Sequence, residues 1–201
     1  MNEKSLELKD LKCVAKAVYR RRRTIYPPLP TSQQETHENL QKMNTETNKF
    51  ENFLQVNDAE NGIIIFTCIS NLQSLCEASE IFMDGTFRCC PKFFNQLDTI
   101  HGYRDGNYIP LAFMLLPGKS EEIYHTCISA LIKLCSEKNL QFQPSFVHID
   151  FEKAVMTVIS QLLPDSTIKC CRFQAWWRQI QKAGLSSECK DRESQIGRWL
   201  K

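Results

Sequence analysis

The pattern of apolar and polar positions changes character near residue 62 of the 201-residue chain. Before that point apolar residues are sparse. Leu8, Leu11, Ala15 and Val18 recur on one helical face, which predicts a helix over 5–23. Pro27, Pro28 and Pro30 then impose an extended stretch, read as a linker. Ser32 and Glu35 have the spacing of a capping box and open a short helix through Lys42. Residues 43–61 are polar and rich in Asn, and read as loop.

From Gly62 the apolar runs become dense. Ile63–Thr67 is β-branched and reads as a strand. Ser70–Ala78 reads as a helix opened by Ser70 and Gln73. Ile81–Asp84, Asn95–Tyr103 and Asn107–Leu116 read as strands, the last two joined through an Asp-Gly turn, a hairpin signal. Pro117 and Gly118 end the third. Ser120, followed by Glu121 and Glu122, caps a helix whose inner stripe is Tyr124, Cys127, Ile128, Leu131 and Leu134. Ser145–Asp150 is a strand, and a helix follows with Ala154, Val155, Val158, Ile159 and Leu162 on one side. Thr167–Phe173 is a further strand, and Gln174–Ala183 a helix stopped by Gly184.

Three strands in succession, then helices alternating with strands, imply an α/β fold: a mixed sheet flanked by helices on both faces. That order matches the ribonuclease H-like fold. The reading divides the chain into an N-terminal helical extension and linker, residues 1–61, and a core, residues 62–201. In such a fold the strand ending at Asp84 lies mid-sheet beside the strand ending at Asp150, although the two acids are 66 residues apart. Paired carboxylates at adjacent strand ends suit Mg²⁺ or Mn²⁺, which take oxygen ligands. Such ions activate a water or a hydroxyl for in-line attack at phosphorus. The plain alternatives are an N-cap for Asp150 and a turn start at Asp84 before Gly85.

Composition narrows the setting. The chain is 42% hydrophobic and 24% charged, ordinary for a soluble globular domain. No apolar run approaches the ~20 residues of a membrane span. The opening MNEKSLELKDLK lacks the apolar centre of a signal peptide, so an intracellular location is expected. Ten cysteines are then expected as thiols. The adjacent pairs Cys89-Cys90 and Cys170-Cys171 lack the gap that presents two thiolates to zinc, even with His101 and His148 to supplement them. Buried, inert thiols are the favoured reading.

The net charge of +2 is unevenly spread. Residues 1–30 and 169–201 each carry eight basic and three acidic groups, which leaves residues 31–168 at −8. Arg20, Arg21, Arg22 and Arg23 end the first helix. Cations there complement the helix dipole, and they also form a candidate phosphate-contacting patch or nuclear-import signal. Glu152, in the first turn after Asp150, complements a dipole in the opposite sense. His148 falls on the same strand face as Asp150 and reads as a satisfied core residue sooner than a site residue. Trp176 and Trp177 could stack on bases, though burial against the core explains at least Trp176.

Four successive blocks carry a family likeness: DGTFRCCPKFFNQLDTIHGY, YIPLAFMLLPGKSEEIYH, VHIDFEKAV and CCRFQAWWRQIQKAGL. In this order they resemble the MULE (Mutator-like element) transposase domain, and YRRRRTIYPPLP with the strand and helix at 62–78 is similar to the lead-in of animal members. The resemblance implies a DNA transposase core, acting in the nucleus, that cuts DNA and joins it to a target through a metal-bound acidic triad. Asp84 matches the first acid and Asp150 the second. The third, a glutamate, belongs to a helical region beyond the last block, and no residue here is named for it. Relatives read CRFHLGQAWWRKIQ where this chain reads CRFQAWWRQIQ. The difference removes His-Leu-Gly between Phe173 and Gln174, ~4.5 Å of helix rise, and with it a histidine that partners Cys171 in the family. The chain as written is accordingly expected to be inactive in cleavage, with a non-enzymatic, transposon-derived protein that binds DNA or a partner as the alternative.

Overall fold

The structure is a computed structural model, and it describes residues 8–86, 90–150, 152–170, 182–185 and 194. Among these, the helices are α1 (Leu8–Ile25), α2 (Gln33–Lys42), α3 (Ile69–Glu77), α4 (Glu121–Glu137) and α5 (Lys153–Leu162). The strands are β1 (Leu54–Asp58), β2 (Ile63–Phe66), β3 (Glu80–Thr86), β4 (Gln96–Arg104), β5 (Asn107–Leu116), β6 (Phe146–Ile149) and β7 (Thr167–Cys170). They form one mixed sheet in the order β1-β2-β5-β4-β3-β6-β7. The first five are paired antiparallel, and β3-β6 and β6-β7 are parallel.

Strand alternation sorts the apolar residues onto two faces. Ile63, Ile65, Ile81, Met83, Ile100, Ala112, Met114, Val147 and Ile149 turn to one side, where α3, α4 and α5 cover them. The inner stripe of α4 is buried as its spacing requires, with Cys135 added to it. Fully burying one such Ile or Leu side chain contributes about 1.5–3 kcal/mol. On the other face Ile64, Leu115 and Phe94 meet Leu40 of α2 and Leu54 of β1. Helices thus pack on both faces, but unequally.

The β4-β5 hairpin turns through Asp105 (φ 51°) and Gly106 (φ 79°), the two left-handed residues that a type I′ turn needs. β5 carries an irregularity opposite Ile100/His101, which leaves Leu111 without an opposite number. The Leu111 carbonyl instead accepts from Thr67 Oγ1 at 2.8 Å and from Asn71 Nδ2 at 3.1 Å, tying the β2-α3 junction to the hairpin.

Three expectations need correction. The stretch read as loop over 43–61 contains β1, so the sheet takes in residues N-terminal to Gly62. β1 has poor strand formers in Asn57 and Asp58 and owes its conformation to pairing with β2 and to α2. Buried His37 of α2 donates from Nδ1 to Asn57 Oδ1 at 2.5 Å, and Asn57 Nδ2 donates to the His37 carbonyl at 2.9 Å. Second, α3 is not opened by Ser70 with Gln73. Its N-cap is Cys68, which makes no side-chain capping bond, and Glu51 of the preceding loop accepts from the Ser70 N–H at 2.9 Å and hydroxyl at 2.8 Å. Third, the capping box of α2 is half-formed: Ser32 Oγ accepts from the Glu35 N–H, but Glu35 turns its carboxylate to Thr31.

The C-terminal expectations fall largely outside the described residues. The strand expected over 167–173 is seen to Cys170, and most of the helix expected over 174–183, with Trp176 and Trp177, lies outside them. Gly184 has φ +75°, the left-handed conformation expected of a residue that ends a helix.

Candidate functional site

The parallel pair β3-β6 builds the site. Its register joins Ile81 to Val147 and Phe82 to His148. Carrying that register two residues further brings Asp84 of β3 level with Asp150, which directly follows β6. Parallel strands end on the same side of a sheet, so the two acids meet at one edge. They line a single cleft of about 120 Å³ together with Asp98, Lys119, Tyr124, Glu152, Met83, Gly85, Ile149 and Val155.

Neither plain alternative accounts for these acids. The N-cap of α5 is Glu152, not Asp150, and it makes no side-chain capping bond. The Asp150 carbonyl accepts from the Glu152 N–H at 2.7 Å, which turns the chain from strand to helix within two residues. Asp84 lies inside β3, two residues before its end, and its carbonyl accepts from Thr99 Oγ1 of β4 at 3.3 Å.

Sequence reasoning missed the inner wall of the cleft. Gln96, Asp98 and Ile100 alternate along β4 on the core face, and all three are buried. Gln96 Nε2 donates to Asp98 Oδ2 at 2.5 Å and to the Tyr124 hydroxyl oxygen at 2.6 Å. Asp98 Oδ1 and Gln96 Oε1 are buried and have no hydrogen-bond partner among the described residues. Burial pushes the Asp98 carboxyl up to about 7, against the Gln96 hydrogen bond that lowers it. Glu152 raises it further, Lys119 opposes, and Asp84 raises it again. Burial also raises the Tyr124 hydroxyl, with the Asp98 charge adding to it. The available signal was a polar residue at a core-facing position of an alternating strand.

The remaining candidates fall elsewhere. His148 is not a core residue and does not itself line the cleft. It is half-buried, bonds Glu80 Oε2 through Nε2 at 2.9 Å, and stacks on Phe82. Lys169 lies 3.6 Å from the other Glu80 oxygen. Arg20–Arg23 are exposed on the last turns of α1. Arg22 and Arg23 line a groove with Tyr19, Tyr26 and Pro27–Pro30. Among the described cysteines all seven are free thiols, and Cys68, Cys127 and Cys135 are buried.

The donor chemistry of the cleft fits a small hard cation. It offers carboxylate oxygens without thiolate or imidazole, and one buried carboxylate oxygen lacks a hydrogen-bond partner among the described residues. As the side chains stand, no three ligating groups among the described residues close on one point. Among the described residues, no helix is long and apolar enough to cross a membrane.

No curated protein matches the chain. The family model of the MULE transposase domain matches residues 80–176, from the first residue of β3 through β7 and over every residue that lines the cleft. Over those residues the chain is similar to the MULE transposase domain.

Proposed function

We propose that this domain serves DNA transposition of the Mutator-like kind, on a ribonuclease H-like core, in the nucleus. Asp84 and Asp150 hold a Mg²⁺ or Mn²⁺ ion at the strand ends. When bound, that ion supplies the activation of a nucleophile for cleavage and strand transfer at phosphodiesters. The two carboxylates hold it, and Lys119 and the N-terminus of α5 offset the negative charge of the cleft wall. Arg20, Arg21, Arg22 and Arg23 contact DNA phosphates from the end of α1. The observation that supports this reading most is that two acids far apart in sequence line one cleft.

A second reading has its own support. As the side chains stand, no three ligands among the described residues close on one point, so this chain by itself is read as binding a cation and DNA without cutting. A plasmid-nicking assay with Mg²⁺ or Mn²⁺ tests it. No nicking is expected from this chain, while DNA binding is salt-sensitive and indifferent to sequence. Nicking that disappears in Asp84→Ala overturns the non-cutting reading. Failure to bind either Mn²⁺ or DNA overturns the transposase-core reading altogether.

A further inference from the structure

We propose that Asp98 is a third oxygen ligand of the cleft cation, approaching from the core side of the sheet. The proposal rests on the reading that Asp84 and Asp150 hold that cation.

Asp98 is 5% exposed, yet it lines the same cleft as the other two acids. A carboxylate so placed usually spends both oxygens on hydrogen bonds, because an unpaired buried charge is costly. Here Oδ2 takes the Gln96 bond and, among the described residues, Oδ1 takes none. The charges around it are mixed: Glu152 and Asp84 repel this carboxylate, and Lys119 attracts it. A purely structural role would be met better by asparagine, which keeps an acceptor for Gln96 and removes the repulsion. A divalent cation instead gives Oδ1 a partner and neutralises the cluster.

Sheet geometry leaves room for that contact. Directly opposed residues of an antiparallel pair share a face, and the residue opposite Asp98 is Gly85. Gly85 therefore places no side chain of β3 over the carboxylate. Asp84 and Asp150 follow Phe82 and His148 on the opposite face. An ion at the ends of β3 and β6 can therefore be approached from both sides of the sheet. Gln96, held between Asp98 and Tyr124, fixes the orientation of the Asp98 carboxyl.

The test is Mn²⁺ binding by titration calorimetry to the full chain and to Asp84→Asn, Asp98→Asn and Asp105→Asn, the last at the exposed hairpin tip. The expected result is loss of affinity by roughly tenfold or more in Asp84→Asn and Asp98→Asn, with Asp105→Asn unchanged. Affinity unchanged in Asp98→Asn but lost in Asp84→Asn overturns the role of Asp98 and leaves the cation site standing. No binding by the unaltered chain overturns both. Carbon-13 NMR of the unaltered protein makes the answer independent of whether the variants fold. Mg²⁺ is expected to move the Asp98 side-chain carboxyl signal along with that of Asp84. A fixed Asp98 signal beside a moving Asp84 signal overturns the proposal.

Discussion

The rings of Phe82 and His148 stack 4.1 Å apart, with 18° between their planes, across the parallel strands β3 and β6. Two residues beyond each ring stand Asp84 and Asp150. The stack therefore lies on the register that brings the acids level, and Tyr108 meets Phe82 edge-on at 4.8 Å from the outer side. Replacing Phe82 by Ala is expected to cost about 2–3 kcal/mol, less than a fully buried Phe because its site is half-exposed. Urea denaturation checks this, and Mn²⁺ affinity measured on the same variant reports whether the acids stay aligned.

The Asp98 carboxyl gives stability a pH dependence of definite sign. Its folded value, about 7, lies above the ordinary carboxylate value of 3.8. The native state therefore binds this proton more tightly than the unfolded chain does. The contribution is fully present below about pH 4 and is lost as pH rises towards 7, by on the order of a few kcal/mol. Without added divalent cation, Asp98→Asn is expected to flatten this slope and to raise the melting temperature near pH 7. Thermal melts from pH 4 to 8 measure both.

Glu51 links the loop before β1 to the start of α3, and its hydrogen bonds from Ser70 hold its carboxyl below the ordinary value. A depressed acid stabilises the fold above its unfolded value and ceases to do so as pH falls through its folded value. Glu51→Ala is expected to lower the melting temperature at pH 7 and to have a smaller effect near pH 3. A melting temperature equal to that of the unaltered protein at pH 7 would show that α3 does not depend on this cap.

The exposed arginines of α1 offer a direct test of the DNA contact. Each phosphate contact releases counterion, so affinity falls with salt at a slope of about 0.9 per contact on duplex DNA. Arg22→Ala with Arg23→Ala is expected to reduce that slope by up to about 2, uniformly across DNA sequences. Fluorescence anisotropy at several salt concentrations reads the slope directly.

Much of the fold was legible because local chemistry and packing agree. The inner stripe of α4, the Ser120 cap and the Asp-Gly hairpin turn each depend on residues close in sequence, and Ser120 Oγ does accept from the Ile123 N–H at 3.3 Å. β1 and the cap of α3 were not legible for the converse reason. Asn57 and Asp58 are poor strand formers until β2 and His37 engage them, and Ser70 finds its partner 19 residues away in Glu51. Propensity does not carry information about partners that distant.

For the cleft, the chain alone determined Asp84 and Asp150: each acid ends an apolar strand run, and the order of elements sets the two strands side by side. Only the tertiary structure decided what surrounds them. Asp98 looked like any polar residue of an alternating strand until β4 was paired with β3 and covered by α4. Packing then buried it in the cleft that the acids line, gave one oxygen to Gln96 and left the other without a partner among the described residues. Strand order follows from patterns along the chain. The burial and electrostatics of a single carboxylate follow from neighbours that only the folded chain brings together.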